Sequence, residues 1–412
     1  MPPPDKNTSV FLDGALPHVG DLSHAETRRG GEFFSRKERK DHKAGGPTSV
    51  SATIDRSGWK RVRLGEALTN VVWCNYSHLQ PRQVRKVTQG DDTGEVSITT
   101  DYYHPASPVV LFGDHTCNVK YVDFDCLILG DGVKLLTPNH EVFSTRFLYY
   151  LVQYVASKLP QGYARHLAVL KETECALPCY EDQFKIANAI TSIDTHISAL
   201  QALIAKYEAI KKATVNLLLK PTGIHIVRLG EVANISRGGS PRPIQDYITV
   251  DPDGINWIKI GDVSVDAKYI EQTEERIKPT GIAMSRQVKA GDFILSNSMS
   301  FGRPYILKID GCIHDGWLAI QNYQNTFDVD YLYYLLGSDM VFAQYIENAA
   351  GSSVKNLNKD IVAKITLPSP PLSEQCKIAE QITAIDNVLA DYKAQLEKAR
   401  QLKAGMMSYF FG

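Results

Sequence analysis

Residues 372–386 read LSEQCKIAEQITAID, and residues 180–194 read YEDQFKIANAITSID. The two stretches lie 192 positions apart (372 against 180) and share the spacing of their isoleucines and their closing Ile-Asp. Downstream of each, apolar residues recur in alternating steps of four and three. In the first copy they are Ile186, Ile190, Ile193, Ile197, Leu200, Ile204 and Tyr207. In the second they are Ile378, Ile382, Ile385, Leu389, Tyr392, Leu396 and Ala399. A seven-residue apolar repeat is the mark of a helix that pairs with another helix along a narrow seam. Proline-bearing segments precede both copies, Leu177-Pro178-Cys179 and Pro368-Ser369-Pro370-Pro371, as suits a helix start. Ser373 is the expected N-cap of the second helix. A helix of about 38 residues spans about 57 Å. Helix two must return to pair with helix one, so the pair is expected to be antiparallel.

Working outward, the repeat extends through most of the chain. Val62-Arg63-Leu64-Gly65-Glu66 returns as Val227-Arg228-Leu229-Gly230-Glu231, and Asp131-Gly132 returns as Asp315-Gly316. Phe147 to Leu151 (FLYYL) returns as Tyr331 to Leu335 (YLYYL), and Leu177-Pro178 returns as Leu367-Pro368. Five matches in one order define a tandem duplication. Each half reads as a mixed globular domain followed by a long helix. Segments 255–260, 293–295 and 305–309 read as strands, and 327–336 as a short amphipathic helix. Residues 238–241 and 297–302 read as loops. The expected division is a flexible tail over 1–58, a first globular domain over 59–179, a first helix over 180–222, a second globular domain over 223–372 and a second helix over 373–412. The fold class is α+β: two mixed α/β domains separated by two long helices in an antiparallel coiled coil.

The 412 residues suffice for such a plan. A net charge of −1 gives no global sign of a nucleic-acid or membrane partner, so a DNA-binding role would need local basic patches or partners that supply part of the electrostatics. Seven scattered cysteines, with only Cys175 and Cys179 close together, imply free thiols and no metal site. No apolar run is long enough to cross a membrane, and Arg28-Arg29 lacks the apolar stretch that would make it an export signal. The expected compartment is the cytoplasm. Catalytic motifs are missing: there is no phosphate-binding G-x4-G-K-[ST] loop, no H-E-x-x-H and no Asn-Pro-Pro-aromatic tetrad. Asp125, Asp131 and Lys134 faintly resemble a nuclease carboxylate–lysine cluster. Because Asp131-Gly132 is a repeated framework position, the structural reading is preferred.

This ordered set of phrases resembles the specificity subunit of type I restriction–modification systems. The resemblance rests on VRLGEVANISRGGSPRP (227–243), FILSNSMSFGRPYIL (293–307), GSSVKNLN (351–358) and LPSPPLSEQCKIAEQI (367–382), and it covers residues 59–412. It implies a non-catalytic reader of double-stranded DNA, with two target-recognition domains alternating with two conserved helical regions. Each domain would read one half of an asymmetric two-part site, with the helix pair setting the spacer. The implied partners are two methyltransferase subunits and restriction/translocase subunits. The chain itself would need no cofactor, since S-adenosylmethionine and ATP would belong to those partners. A helix of about 57 Å matches roughly 17 base pairs of duplex.

Donors and acceptors on loops are the candidate DNA contacts. In the second domain these are Arg237, Ser240 and Arg242; Asn297, Ser298, Ser300 and Arg303; and Ser352, Ser353, Lys355 and Asn356. In the first they are Tyr102, Tyr103, His104, Lys120, Arg165 and His166. Two other readings stand beside this one. The chain could be a coiled-coil module that binds protein without DNA specificity, or the recognition part of a fused restriction–methyltransferase. The polar face of the repeated helix opening, with Gln183, Lys185, Gln375 and Lys377, is open to docking or to solvent.

Overall fold

A computed structural model describes residues 56–412 except 70–76, 91–93, 106, 131, 161–163, 221–224, 298–301 and 350–356. The expected tail therefore lies almost wholly outside the described residues. Four helices organise the rest: α1 (Thr145–Ala156), α2 (Tyr180–Leu218), α3 (Val329–Leu336) and α4 (Leu372–Phe411). At 39 and 40 residues, α2 and α4 are each about 60 Å long.

The sheets form where the sequence is continuously apolar. Val109–Gly113 and Phe293–Ser296 are buried at every position, as strands covered on both faces must be. The first head holds a four-stranded sheet ordered Leu68–Thr69, Val133–Pro138, Val109–Gly113, Val119–Val122. Beside it is a three-stranded sheet ordered Val96–Tyr102, Ser77–Val87, Cys126–Ile128. The second head holds two five-stranded sheets. One contains Asn234–Arg237 at its edge, followed by Trp317–Gln321, Phe293–Ser296, Pro304–Leu307 and Tyr269–Ile270. Each head is closed by a two-stranded ribbon that returns the chain to its long helix. Val62 faces Cys175 in the first ribbon and Val227 faces Leu367 in the second. The glycine of each Leu-Gly-Glu phrase is required by close packing. A Cβ on Gly65 would lie 3.0 Å from Lys171 Cβ, and one on Gly230 would lie 2.8 Å from Ala363 Cβ.

The α+β class and the paired long helices are borne out. α2 and α4 run antiparallel: Asp194 pairs with Lys403, Glu208 with Lys393 and Lys211 with Asp386, so numbers rise on one helix as they fall on the other. The mid-helix seam gathers Ile197, Leu200, Ile204, Tyr392, Leu396 and Ala399, and the Tyr207 and Tyr392 rings meet edge to face. Towards the ends the seam merges with the heads. Ile186 and Ile190 belong to the first head's core together with Met407. Ile378 and Ile382 belong to the second head's core, with Leu218 and Val215 packed against it. Ile193 and Ile385 are half-buried, and Leu389 is buried.

Two local expectations change. α4 begins at Leu372, with Pro371 at the cap position, so Ser373 lies inside the first turn and does not cap it. The polar face at the helix openings is not uniformly exposed either. Gln183 and Gln375 are 1% and 0% exposed. Gln183 Oε1 accepts from the Ser144 N–H at 2.9 Å, and its Nε2 donates to the Val142 and Pro178 carbonyls. Gln375 Oε1 accepts from the Asp328 N–H at 2.9 Å, and its Nε2 donates to the Thr326 and Pro370 carbonyls. Ser144 and Asp328 are the N-caps of α1 and α3. Each glutamine therefore ties the start of a long helix to the start of a head helix. Lys185 is exposed and pairs with Glu181 and Asp182, and Lys377 is exposed.

Candidate nucleic-acid interface

In the second head, the strand Asn234–Arg237 pairs with Trp317–Gln321, which brings the chain leaving Arg237 beside residues 313–316. Gly238 N–H donates to Trp317 O and Gly239 N–H to Ile313 O. A side chain at Gly238 would overlap the His314 carbonyl oxygen, so this loop can lie so close only with glycine there. The approach gathers four of the sequence-predicted residues around Asp315. Ser240 Oγ donates to Asp315 Oδ1 at 3.1 Å, and Arg242 lies 3.5 Å from Oδ2. Arg237 Nε and Asn297 Nδ2 both donate to the Asp315 carbonyl, at 3.1 and 2.9 Å. His314 adds a contact that the motif reading missed. Its Nδ1 accepts from the Gly316 N–H at 2.9 Å, so its proton sits on Nε2 and is given to Asp315 Oδ1, also at 2.9 Å. A cleft of about 760 Å³ opens here, lined by Ser240, Arg242, Trp257, Lys259 and His314 among others.

The Arg242 side chain is 81% exposed and makes one long contact, so most of its five N–H donors face outward. Asp315 thus orients an arginine, a histidine and a serine while partly offsetting the charge of the arginine. Such an arrangement can present directed donors to a base edge or a phosphate.

The first head assembles a comparable group from different positions. An isolated bridge between Tyr103 and Cys126 sets His104 beside Asp125. Asp125 Oδ1 lies 2.5 Å from His104 Nδ1, and Oδ2 lies 2.7 Å from Arg82 Nη1. The hydrogen bond from His104, and then that from Arg82, hold the Asp125 carboxyl below its ordinary value. The same bond raises Arg82. Sequence reasoning singled out Tyr103 and His104 but missed Arg82. Its basic strand, QPRQVRK, was the available signal. Lys134 sits on Val133–Pro138 in the other sheet, opposite Phe112. Asp131 lies outside the described residues. Among the described residues no three His, Cys, Asp or Glu side chains gather as a metal ion would need.

Other candidates are placed differently. Tyr102 and His166 are each 3% exposed, so their side chains are in the first head's interior rather than on a reading surface. His166 precedes a short helix and donates its backbone N–H to Asp114 O at 3.0 Å. Asn297 is 7% exposed and serves to hold the Asp315 turn. Arg165 is exposed. Arg303 is turned onto the Val265 carbonyl. Lys120 lines a groove with Tyr121, Arg146 and Thr191 where the head meets α2. Ser298, Ser300, Ser352, Ser353, Lys355 and Asn356 lie outside the described residues.

Fold and site together define a duplicated chain with two unlike loop surfaces carried on one antiparallel helix pair. Residues 221–399 match the family model described as the type I restriction modification DNA specificity domain. The chain is 22% identical over 326 residues to the specificity subunit of the Escherichia coli type I restriction enzyme EcoR124I/EcoR124II, an alignment covering 75% of this chain and 80% of that one. Its fold is similar to the crystal structure of a type I restriction–modification S subunit from M. genitalium. There the TM-score is 0.58 at 15% identity, over 88% of this chain and 98% of the other. A structure from work on complex assembly and conformational transition of the type I R-M system matches with a TM-score of 0.55 at 19% identity, over 86% and 98%. The resemblance to type I specificity subunits drawn from the ordered repeat is thereby borne out.

Proposed function

We propose that this chain is the DNA-reading, non-catalytic subunit of a type I restriction–modification complex. Each head reads one half of an asymmetric, two-part site in double-stranded DNA, and the helix pair holds the halves a fixed distance apart. The observation that carries this reading is the pairing of one duplicated frame with two unlike surfaces. The frame is antiparallel, so the two heads meet a duplex in inverted orientation. The surface around Asp315 and the one around Asp125 differ in residues and in position, so they call for different half-sites. Two methyltransferase subunits and the restriction/translocase subunits are the partners in this reading, and S-adenosylmethionine and ATP bind to them. Among the described residues no helix is long and apolar enough to cross a membrane, which accords with work on DNA in the cytoplasm.

Methylome sequencing of cells expressing the chain with its methyltransferase partner tests the proposal. The expected outcome is one asymmetric motif in two parts with a constant spacer. A continuous palindrome, or no sequence preference, would refute it.

A further inference from the structure

The two ends of the helix pair carry the same four-residue contact. At one end Tyr150 of α1 donates its O–H to Asp194 Oδ2 at 3.0 Å and lies 3.0 Å from Thr191 Oγ1. At the other Tyr334 of α3 donates to Asp386 Oδ2 at 2.8 Å and lies 3.0 Å from Thr383 Oγ1. Burial pushes both phenols well above their ordinary value, so each remains a donor. The fourth member comes from the opposite long helix. Lys403 of α4 reaches Asp194 Oδ1 at 2.7 Å and stands 5.7 Å from the Tyr150 ring centroid. Lys211 of α2 reaches Asp386 Oδ1 at 2.6 Å and stands 5.6 Å from the Tyr334 centroid.

Three elements meet in each contact: a head, the helix that follows it, and the other head's helix. The Lys–Asp part is reciprocal, since 194 and 211 lie 192 positions before 386 and 403. The inter-helix pair Glu208–Lys393 has no such mate, because the positions related to it are Gln201 and Arg400. The clasp ions are also drier than surface pairs, with side chains 21–33% exposed. A slip of one heptad between the helices would carry each lysine about 10 Å from its aspartate. The clasp therefore closes only in the correct register, and when closed it pins the buried tyrosine of the head.

We propose that the Tyr–Thr–Asp–Lys clasps are positioning devices that fix the angle of each head to the helix pair, so that they share with helix length the setting of the spacer. The part concerning the spacer rests on the two-part DNA reading above; the part concerning head angle does not. Spin labels placed at Ile98 in the first head and Val250 in the second, 77% and 98% exposed, report the head-to-head distance in the full chain without DNA. Lys403→Met with Lys211→Met is expected to broaden that distance distribution about twofold, on the scale of hinge motion. The charge-swapped set Asp194→Lys, Lys403→Asp, Asp386→Lys and Lys211→Asp re-forms the inter-helix ion pairs but removes the acceptors of the two tyrosine hydroxyls, so it is expected to restore the width only in part. Should the lysine variants misfold by circular dichroism, Tyr150→Phe with Tyr334→Phe removes only the two hydroxyls and is expected to broaden the distribution less. An unchanged width in correctly folded variants overturns the proposal. In the methylome, the lysine variants are expected to keep both half-sites and admit spacers differing by about one base pair. A broadened distribution with a single spacer length would remove the spacer part. A motif that is not two-part would refute the DNA reading, while the distance measurement would still decide the clasp.

Discussion

Replacing Gln375 by methionine keeps the volume of the side chain and deletes its amide. Three bonds go with it: the 2.9 Å bond accepted from Asp328 N–H, and the 2.9 and 2.8 Å bonds donated to the Thr326 and Pro370 carbonyls. Each such bond is worth about 0.5–1.5 kcal/mol net, and a buried group left unpaired costs about 1–3 kcal/mol. Gln375 is fully buried, so the penalty for the Asp328 N–H falls near the upper part of that range. The Thr326 carbonyl lies at a half-exposed position where water can replace the lost donor. The sum is a loss of about 3 kcal/mol. For a domain of this size that is a fall of roughly 6–12 °C in the melting step of the second head. Calorimetry on the full chain is the assay, with hydrogen exchange of the first-turn amides of α3 to locate the change. Gln183→Met should lower the step of the first head by a similar amount, because its three partners are the same in kind. If neither variant shifts its transition by more than about 1 °C, the glutamines do not join helix to head as argued.

Other consequences are as direct. Gly238→Ala must push the loop off the His314 carbonyl, so it is expected to abolish reading of one half-site in the methylome and leave the other intact. Gly230→Ala overpacks against Ala363 and should cost about 1–3 kcal/mol in a thermal melt. Asp125 titrates below the ordinary carboxylate value because His104 and then Arg82 bond to its charged form. That stabilisation is complete above the unfolded value, about pH 4, and is lost as pH falls through the lower folded value. His104→Ala should move the Asp125 carboxyl resonance titration upward in 13C NMR, and an unmoved titration would show that the bond is not formed. Binding of the assembled complex to its site should weaken steeply with salt as phosphates are neutralised, and a flat response would favour a protein-binding module instead.

The long helices were legible because a step of four and three cannot be satisfied by a strand. The buried strands were legible because runs such as FILS and PYIL have no polar face to leave in water. What escaped was set by tertiary contacts. Gln183 and Gln375 look like solvent-facing residues in the heptad pattern, yet each is covered by the N-terminus of a head helix whose approach no local rule encodes. Ser373 has the chemistry of a cap, but Pro371 already sits where the backbone turns into the helix. The register between Ser77–Val87 and Val96–Tyr102 shifts between His78 and Arg82, so faces cannot be counted along the strand by alternation. Alternation alone would therefore not separate the buried Tyr102 from the exposed Arg82.

The repeat itself sorts the residues by role. Positions paired by the repeat touch the frame: Gln183 with Gln375 and Asp194 with Asp386 at an offset of 192, Tyr150 with Tyr334 at 184, and Gly65 with Gly230 at 165. The two carboxylates at the loop surfaces do not correspond to each other: Asp315 is the repeat mate of Asp131, 184 residues earlier, whereas the position 184 residues on from Asp125 is Ile309. Each head has gathered an arginine and a histidine around an aspartate, at places that do not correspond between the two halves. A duplicated frame must keep both ends alike, because α2 and α4 each contribute to the closure of both clasps. The surfaces carry no such constraint, since neither Asp125 nor Asp315 bonds to either long helix. Substitutions at the paired frame positions should therefore act in matched pairs on stability and geometry, whereas those of Arg82 and His104, or of Arg242 and His314, should change one half of the recognised sequence and leave the other untouched.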